Sequence, residues 1–238
     1  MDITSLVAAA IGFTPPIILM LWTLQKYTYP RVDKPYFSDP KLFGMFAVGI
    51  VIGVALYVVS LVLPLEYVIV GFLLEEAVKL MIMNMPRFQR SADTPFYAFG
   101  LSAGMASALA FGIVNRALTG VGLDVLAISI TIIYSSMLAL LHISTGTTIG
   151  MGVARGTPWP FFGQAVVVHL AVTLMLLPSS DITLSEGNLL GITLFLIALI
   201  FTAIYYYFVH ERLLPQYVKE ALERTGEKKS KKARKVAK

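Results

Sequence analysis

The chain has 238 residues and a formal net charge of +5, with 57% hydrophobic and only 14% charged residues. Because soluble globular domains carry about 25% charged residues, this composition excludes a water-soluble domain and indicates an integral membrane protein. The absence of cysteine excludes a disulfide framework and a cysteine metal site.

Seven apolar stretches are long enough to cross a bilayer, which takes roughly 20 helical residues each. Their continuous apolarity predicts helices rather than barrel strands. We place them near residues 4–25, 42–63, 66–86, 95–116, 125–153, 159–178 and 188–210. The expected fold is an all-α integral membrane protein with seven transmembrane helices. It divides into a membrane domain over 1–210 and a cytoplasmic segment over 211–238.

The distribution of Lys and Arg predicts the orientation of these helices, because cytoplasmic loops carry an excess of both residues. One side of the predicted bundle holds almost all of them: Lys26, Arg31, Lys34, Lys41, Arg87, Arg90, Arg155 and the basic residues from Arg212 to Lys238. The loops on the other side hold only Arg116. We therefore expect a multi-pass protein of the cell membrane with its N-terminus outside and its C-terminus in the cytoplasm.

The C-terminal segment has two parts. Apolar residues recur at helical spacing in its first part, which predicts an amphipathic helix on the cytoplasmic surface: Leu214, Tyr217, Val218, Ala221 and Leu222. The second part is polybasic, and it either binds anionic lipid or is a solvated tail that enforces the topology. Nucleic acid is not an expected partner, because no nucleic-acid-binding fold accompanies the charge.

The third predicted helix carries ionisable residues in its middle, where insertion of one charge costs about 2.5–3.5 kcal/mol. Lys79 follows Glu75 at i+4 and Glu76 at i+3, so one carboxylate can pair with it. Two adjacent carboxylates in a low dielectric repel each other, which favours a proton on one of them. A carboxylate that takes up a proton near neutral pH suits the role of a general base. The alternative is a structural ion pair that fixes the bundle.

Three further polar residues lie in the predicted helices that follow. Asn115 ends the fourth helix, His142 lies in the fifth and His169 in the sixth. A lone histidine in a membrane helix usually hydrogen-bonds to a neighbouring helix, but two histidines and a glutamate pair favour a shared site. Two histidines and one glutamate could also hold Zn²⁺. Since no His-Glu-x-x-His spacing is present, we expect no metal and no other cofactor.

Small residues recur every four positions on the fourth predicted helix: Gly100, Gly104, Ala108 and Gly112. This spacing allows two helix backbones to approach closely. The four residues either pack within the seven-helix bundle or form a docking face for another membrane protein.

The order of these motifs resembles a known superfamily. The motifs are "EEAVK" at 75–79, "FGIVN" at 111–115, "LLHISTGTTIG" at 140–150 and "VVVHLAVT" at 166–173. They are similar to those of the type II CAAX prenyl proteases, the PrsW proteases and the Aph subunit of gamma-secretase. PrsW-like proteins often have Glu-Asn where this chain has Val114 and Asn115. The Aph subunit typically has Gln-Glu where this chain has two glutamates.

The resemblance implies two different functions. In the protease branches the glutamate pair activates a water, and histidine and asparagine groups assist. This implies catalytic roles for Glu75, Glu76, Lys79, Asn115, His142 and His169, and an intramembrane peptidase acting on membrane-protein or peptide substrates. The alternative is a non-catalytic Aph-like scaffold that binds another intramembrane protease subunit, a presenilin-type aspartyl protease. A proton or cation relay through the glutamate pair is a third interpretation.

Overall fold

The computed structural model describes residues 2–62, 68–179 and 189–224. Within these ranges the chain is helical and contains no strand, which confirms the predicted all-α class. The helices are α1 (Ile3–Leu24), α2 (Asp39–Val62), α3 (Val68–Met83), α4 (Thr94–Val121), α5 (Val125–Arg155), α6 (Pro158–Leu176) and α7 (Leu189–Tyr207). A π-helical turn, Phe208–Leu213, then leads into a C-terminal extension over residues 214–224.

Local sequence explains where the central helices begin and end. Asp124 accepts hydrogen bonds from the backbone N–H groups of the first turn of α5 and so caps that helix. Gly156 ends the same helix at a φ of 80°, a conformation that glycine adopts without a steric penalty. Pro95 and Pro158 lie in the first turns of α4 and α6, where the absence of a backbone N–H costs nothing.

Six helices of the described chain are long and apolar enough to cross a membrane, consistent with a multi-pass membrane protein. α3 is not among them, because its 16 described residues make only about 24 Å of helix. Residues 66 and 67 of the predicted third stretch lie outside the described residues, and α3 ends at Met83 rather than at Pro86. Among the α-helices α1–α7, α5 is the longest, with 31 residues.

α4 lies at the centre of the bundle and packs chiefly against α2, α5 and α1. Most of its side chains are buried. Its small residues allow this central position, because a helix surrounded on several sides must let its neighbours approach its backbone closely.

The predicted docking face on α4 is covered by α2 of the same chain. A side-chain carbon added at Gly104 would lie 2.0 Å from the carbonyl oxygen of Phe46, and one added at Gly100 would lie 2.8 Å from that of Leu42. The predicted face is buried throughout: Gly100, Gly104, Ala108 and Gly112. The partner-binding prediction for these residues is therefore corrected, and their spacing reflects packing within the bundle.

Gly104→Ala is expected to destabilise the protein, because the added methyl group has to push α2 away from α4; overpacking of this kind costs about 1–3 kcal/mol. Gly120, on the same helix, is the matched control, since a side-chain carbon added there meets nothing within 4 Å. Gly120→Ala should leave stability unchanged or raise it by up to about 1 kcal/mol. Thermal unfolding in mild detergent measures both, and equal melting temperatures would contradict the close approach.

The C-terminal extension packs on the bundle instead of lying free on a surface. Leu214, Tyr217 and Val218 are buried in the main apolar core. The Glu220 carboxylate accepts from Arg155 at the end of α5, with 3.1 Å between the two atoms. The predicted domain boundary at residue 211 falls inside the π-helical turn, where the chain remains helical. The polybasic residues 225–238 lie outside the described residues.

Candidate functional site

The site contains a buried ion pair on α3. Glu76 and Lys79 are both 0% exposed, and the Lys79 Nζ lies 2.7 Å from the Glu76 Oε1. Their i, i+3 spacing places the two side chains on one face of the helix. Each charge compensates the other at a position buried inside the bundle, so neither can be removed alone without a large cost.

The Lys79 ammonium group donates to a different partner with each of its three N–H groups. Besides Glu76, the acceptors are Thr145 Oγ1 at 2.9 Å and His142 Nδ1 at 3.1 Å, both on α5. An ammonium group has three donors and no acceptor. Lys79 is therefore fully satisfied, and it joins α3 to α5.

One oxygen of Glu76 is equally saturated. Its Oε1 accepts from Lys79, from Thr145 Oγ1 at 3.0 Å and from His169 Nδ1 on α6 at 2.7 Å. Its second oxygen, Oε2, is buried and has no hydrogen-bond partner among the described residues. The arrangement ties three helices together through a single carboxylate oxygen.

The partners of the two histidines decide where each neutral ring carries its proton. Lys79 can only donate, so the His142 Nδ1 accepts and the proton of that ring lies on Nε2. The Glu76 carboxylate can only accept, so the His169 Nδ1 donates and the Nε2 of that ring is left with a free lone pair. The two Nε2 atoms therefore have opposite roles, one donor and one acceptor.

Glu75 faces both of these nitrogens. Its Oε2 lies 3.6 Å from His142 Nε2 and 3.7 Å from His169 Nε2, and its side chain is 18% exposed. The two imidazole rings stand edge to face, with centroids 5.0 Å apart. Both separations are too long for a direct hydrogen bond, and a water that contacts both groups would have to lie to one side of the line that joins them.

The same three side chains are a candidate metal site by distance alone. One ligand atom from each of Glu75, His142 and His169 lies within 4.8 Å of the others. A metal on His142 Nε2 would require the proton to move to Nδ1, where it would point at the Lys79 ammonium group 3.1 Å away. Two donors facing each other are unfavourable, so this donor set fits Zn²⁺ poorly.

The structure brings together five of the six residues predicted to be catalytic: Glu75, Glu76, Lys79, His142 and His169. Asn115 lies elsewhere. α4 and α5 run antiparallel, with Gly146 against Ser102 and Gly150 against Ala98. In this register His142 lies opposite residue 106, and Asn115 is nine residues farther along α4, about 13 Å. Three helices, not the expected four, supply the cluster.

Sequence reasoning missed Thr145, which hydrogen-bonds to both members of the ion pair. The sequence feature that could have indicated Thr145 is its position one turn after His142, in a run of polar residues inside an apolar helix. It also missed Phe72, whose ring packs on that of His169 with centroids 5.5 Å apart. Nothing in the spacing of Phe72 distinguishes it from the lipid-facing residues around it.

Thr145→Val is expected to destabilise the protein by about 1–3 kcal/mol, because Lys79 and Glu76 each lose a buried hydrogen bond while the volume is kept. Thr119→Val is the matched control, since the Thr119 hydroxyl is exposed and donates only to a backbone carbonyl of its own helix. The melting temperatures of the two variants are measured in the same detergent and compared with that of the wild type. Equal shifts would show that the Thr145 contacts are dispensable.

No protein-family model, curated protein or solved structure matches the chain. The fold and site describe a multi-pass helical membrane protein that buries a Glu–Lys–His cluster between three helices. Function is therefore inferred from the chemistry of that cluster.

Proposed function

We propose that the protein is an intramembrane glutamate-dependent endopeptidase, similar to PrsW, that hydrolyses peptide bonds of membrane-associated substrates. The observation that carries the proposal is the partly exposed Glu75 carboxylate facing one donor and one acceptor nitrogen. A hydrolytic site needs a base, a place for water and a donor for the developing oxyanion. Glu75 supplies the base, the exposed part of its side chain is where the water binds, and the His142 Nε2–H is the donor.

The reaction assigns a different task to each side chain. A water bound at the exposed side of Glu75 donates one proton to that carboxylate and is oriented by the His169 lone pair, and its oxygen bonds to the substrate carbonyl carbon. The His142 Nε2–H donates to the oxyanion that forms. When the carbon–nitrogen bond breaks, Glu75 passes the proton to the leaving nitrogen. Glu76 and Lys79 are positioning residues, because they hold the two rings in these roles.

The proposal includes the finer topology. In it α3 is a seventh membrane span, which makes the number of spans odd. The N-terminus then lies outside and the basic C-terminus in the cytoplasm, as the positive-inside rule requires for a protein of the cell membrane. The cluster would lie within the bilayer, near the middle of α3.

The scaffold alternative is weakened by the packing of α4. The stripe of small residues that would hold a second protease is covered by α2, so a partner would need another surface. The relay alternative keeps the same residues, but it requires pH-dependent ion movement across the membrane.

Isolation from native membranes in mild detergent, followed by mass spectrometry, separates these functions. Wild type, Glu75→Gln and the exposed control Glu220→Gln are compared. A peptidase predicts that uncleaved membrane proteins accumulate only with Glu75→Gln. A presenilin-type protease recovered stoichiometrically with all three variants, without accumulation, would instead establish a scaffold. A pH-dependent ion flux in liposomes, lost in Glu75→Gln, would establish a relay.

A further inference from the structure

A second buried polar group lies on the π-helical turn after α7. His210 is buried, its Nδ1 donates to the carbonyl oxygen of Tyr206 at 3.0 Å, and its Nε2 lies 3.2 Å from the Thr147 hydroxyl on α5. The proposed peptidase reaction makes no use of this histidine. π-helical turns are rare and are often found at functional sites.

From His210, polar contacts continue to the surface. The Tyr206 ring packs on the His210 ring with centroids 4.1 Å apart, and its hydroxyl is 2.5 Å from that of Thr23 on α1. Beyond them lies the ion pair between Lys26 and Glu211, whose side chains are about one third exposed. The polar contacts therefore reach solvent at the end of the bundle where α1 finishes.

In the other direction, polar groups continue to the glutamate cluster along α5. The Thr148 hydroxyl lies 3.0 Å from that of Tyr205, beside Tyr206 on α7. Thr148 is one turn, about 4.5 Å, from Thr145, which hydrogen-bonds to Glu76. These hydroxyl groups are buried inside the bundle although nothing in the apolar packing requires them.

Two unpaired polar atoms lie beside this series of side chains. In the described part of the chain, three buried side-chain oxygens lack a partner, and two of them are Ser102 Oγ and Glu76 Oε2. Ser102 faces α5 between Thr145 and Thr147, because a side-chain carbon added at Gly146 would lie 1.7 Å from its hydroxyl. Buried polar atoms without a protein partner usually bind ordered water.

We propose that these side chains form a hydrated polar path that connects the glutamate cluster with solvent at the Lys26–Glu211 end. Its members are Ser102, Thr145, Thr147, Thr148, Tyr205, Tyr206 and His210. Bound waters complete the hydrogen bonds of Ser102 and of the free Glu76 oxygen, and they exchange with the solvent through the path.

This path goes beyond the proposed function. Hydrolysis consumes one water for each peptide bond, and a site inside a bilayer cannot draw that water through lipid. A route lined by hydroxyl groups supplies it from one end of the bundle while apolar helices cover the remaining sides. The path does not depend on peptidase activity, because it would also connect a relay with solvent.

The test uses the absence of cysteine in the natural chain. Single cysteines are introduced at Ser102 and Thr147 in the path, with Ala103→Cys and Ile149→Cys as controls at equally buried apolar positions. Ile149 lies closer to the Arg155 end of α5 than Thr147 does, so simple depth favours exchange at the control. Infrared spectroscopy in D2O follows the S–H stretch, which lies in a region clear of other protein bands.

Each path thiol should exchange its proton at least about tenfold faster than its control, because opening of the apolar core limits exchange elsewhere. Equal rates in either pair would overturn a continuous path. If Ser102→Cys does not fold, Thr148→Cys takes its place against the Ile149→Cys control. The measurement needs no catalytic activity, so its failure would leave the peptidase proposal standing, and an inactive protein could still show the path.

Discussion

Lys79→Met is expected to lower the free energy of unfolding by about 3–5 kcal/mol, because it leaves the Glu76 carboxylate buried without its counter-charge. Both side chains of the pair are 0% exposed, so bulk solvent cannot take the place of the lost ammonium group. The loss also removes donors from Thr145 and His142. Unfolding in detergent, followed by circular dichroism or by retention on size exclusion, measures the change.

The control for this prediction is a partly exposed ion pair, Lys26–Glu211. Lys26 and Glu211 are 32% and 38% exposed, so Lys26→Met should change the free energy of unfolding by less than about 1 kcal/mol. The double variant Glu76→Gln/Lys79→Met removes both charges and should recover part of the stability lost in Lys79→Met. Equal stability of Lys79→Met and Lys26→Met would contradict the stabilising role of the buried pair.

Glu75→Gln is expected to lower kcat/KM for peptide hydrolysis by about 10²–10⁴ while leaving stability almost unchanged. The amide keeps the shape of the side chain but cannot accept the proton of the water. Stability should be retained because the nearest histidine nitrogens are 3.6 and 3.7 Å from Glu75, beyond direct hydrogen-bond distance. Turnover of a peptide recovered from the trapped substrates, together with a melting curve, tests both parts.

Glu76→Gln supplies the contrasting variant. It should destabilise the protein, because Lys79 then lacks its counter-charge, and it should reduce activity mainly by disturbing the histidines. The two glutamates are adjacent in sequence, so similar losses of activity and stability in both variants would contradict the separate roles. If Glu76→Gln were folded but inactive while Glu75→Gln kept its activity, Glu76 would be the base and Glu75 the positioning residue.

Much of this arrangement follows from sequence because the bilayer imposes simple constraints. Apolar length locates the helices to within a few residues, as α5 shows with its expected start at residue 125. The pairing of Glu76 with Lys79 follows from helical spacing alone. Charges that are costly in lipid have to face protein, which is why the glutamates could be assigned to a shared site with His142 and His169.

The remainder depends on how the helices are rotated and shifted relative to one another. Neither Asn115 nor Gly104 on α4 borders the cluster. Asn115 lies too far along the helix, and Gly104 faces α2. Thr145 looks like an ordinary helix residue until α3 is placed beside it. Leu214 and Tyr217 were expected on a surface because their pattern is amphipathic, but the bundle itself offers them an apolar face.

The central position of α4 bears on the biogenesis of the protein. Its neighbours α1 and α2 precede it in the chain, so they leave the ribosome before α4 does. A helix so rich in glycine, alanine and serine gains little from lipid contact, and the two earlier helices offer it protein surfaces to pack against. α5 then packs against α4 and brings His142 and Thr145 to the cluster.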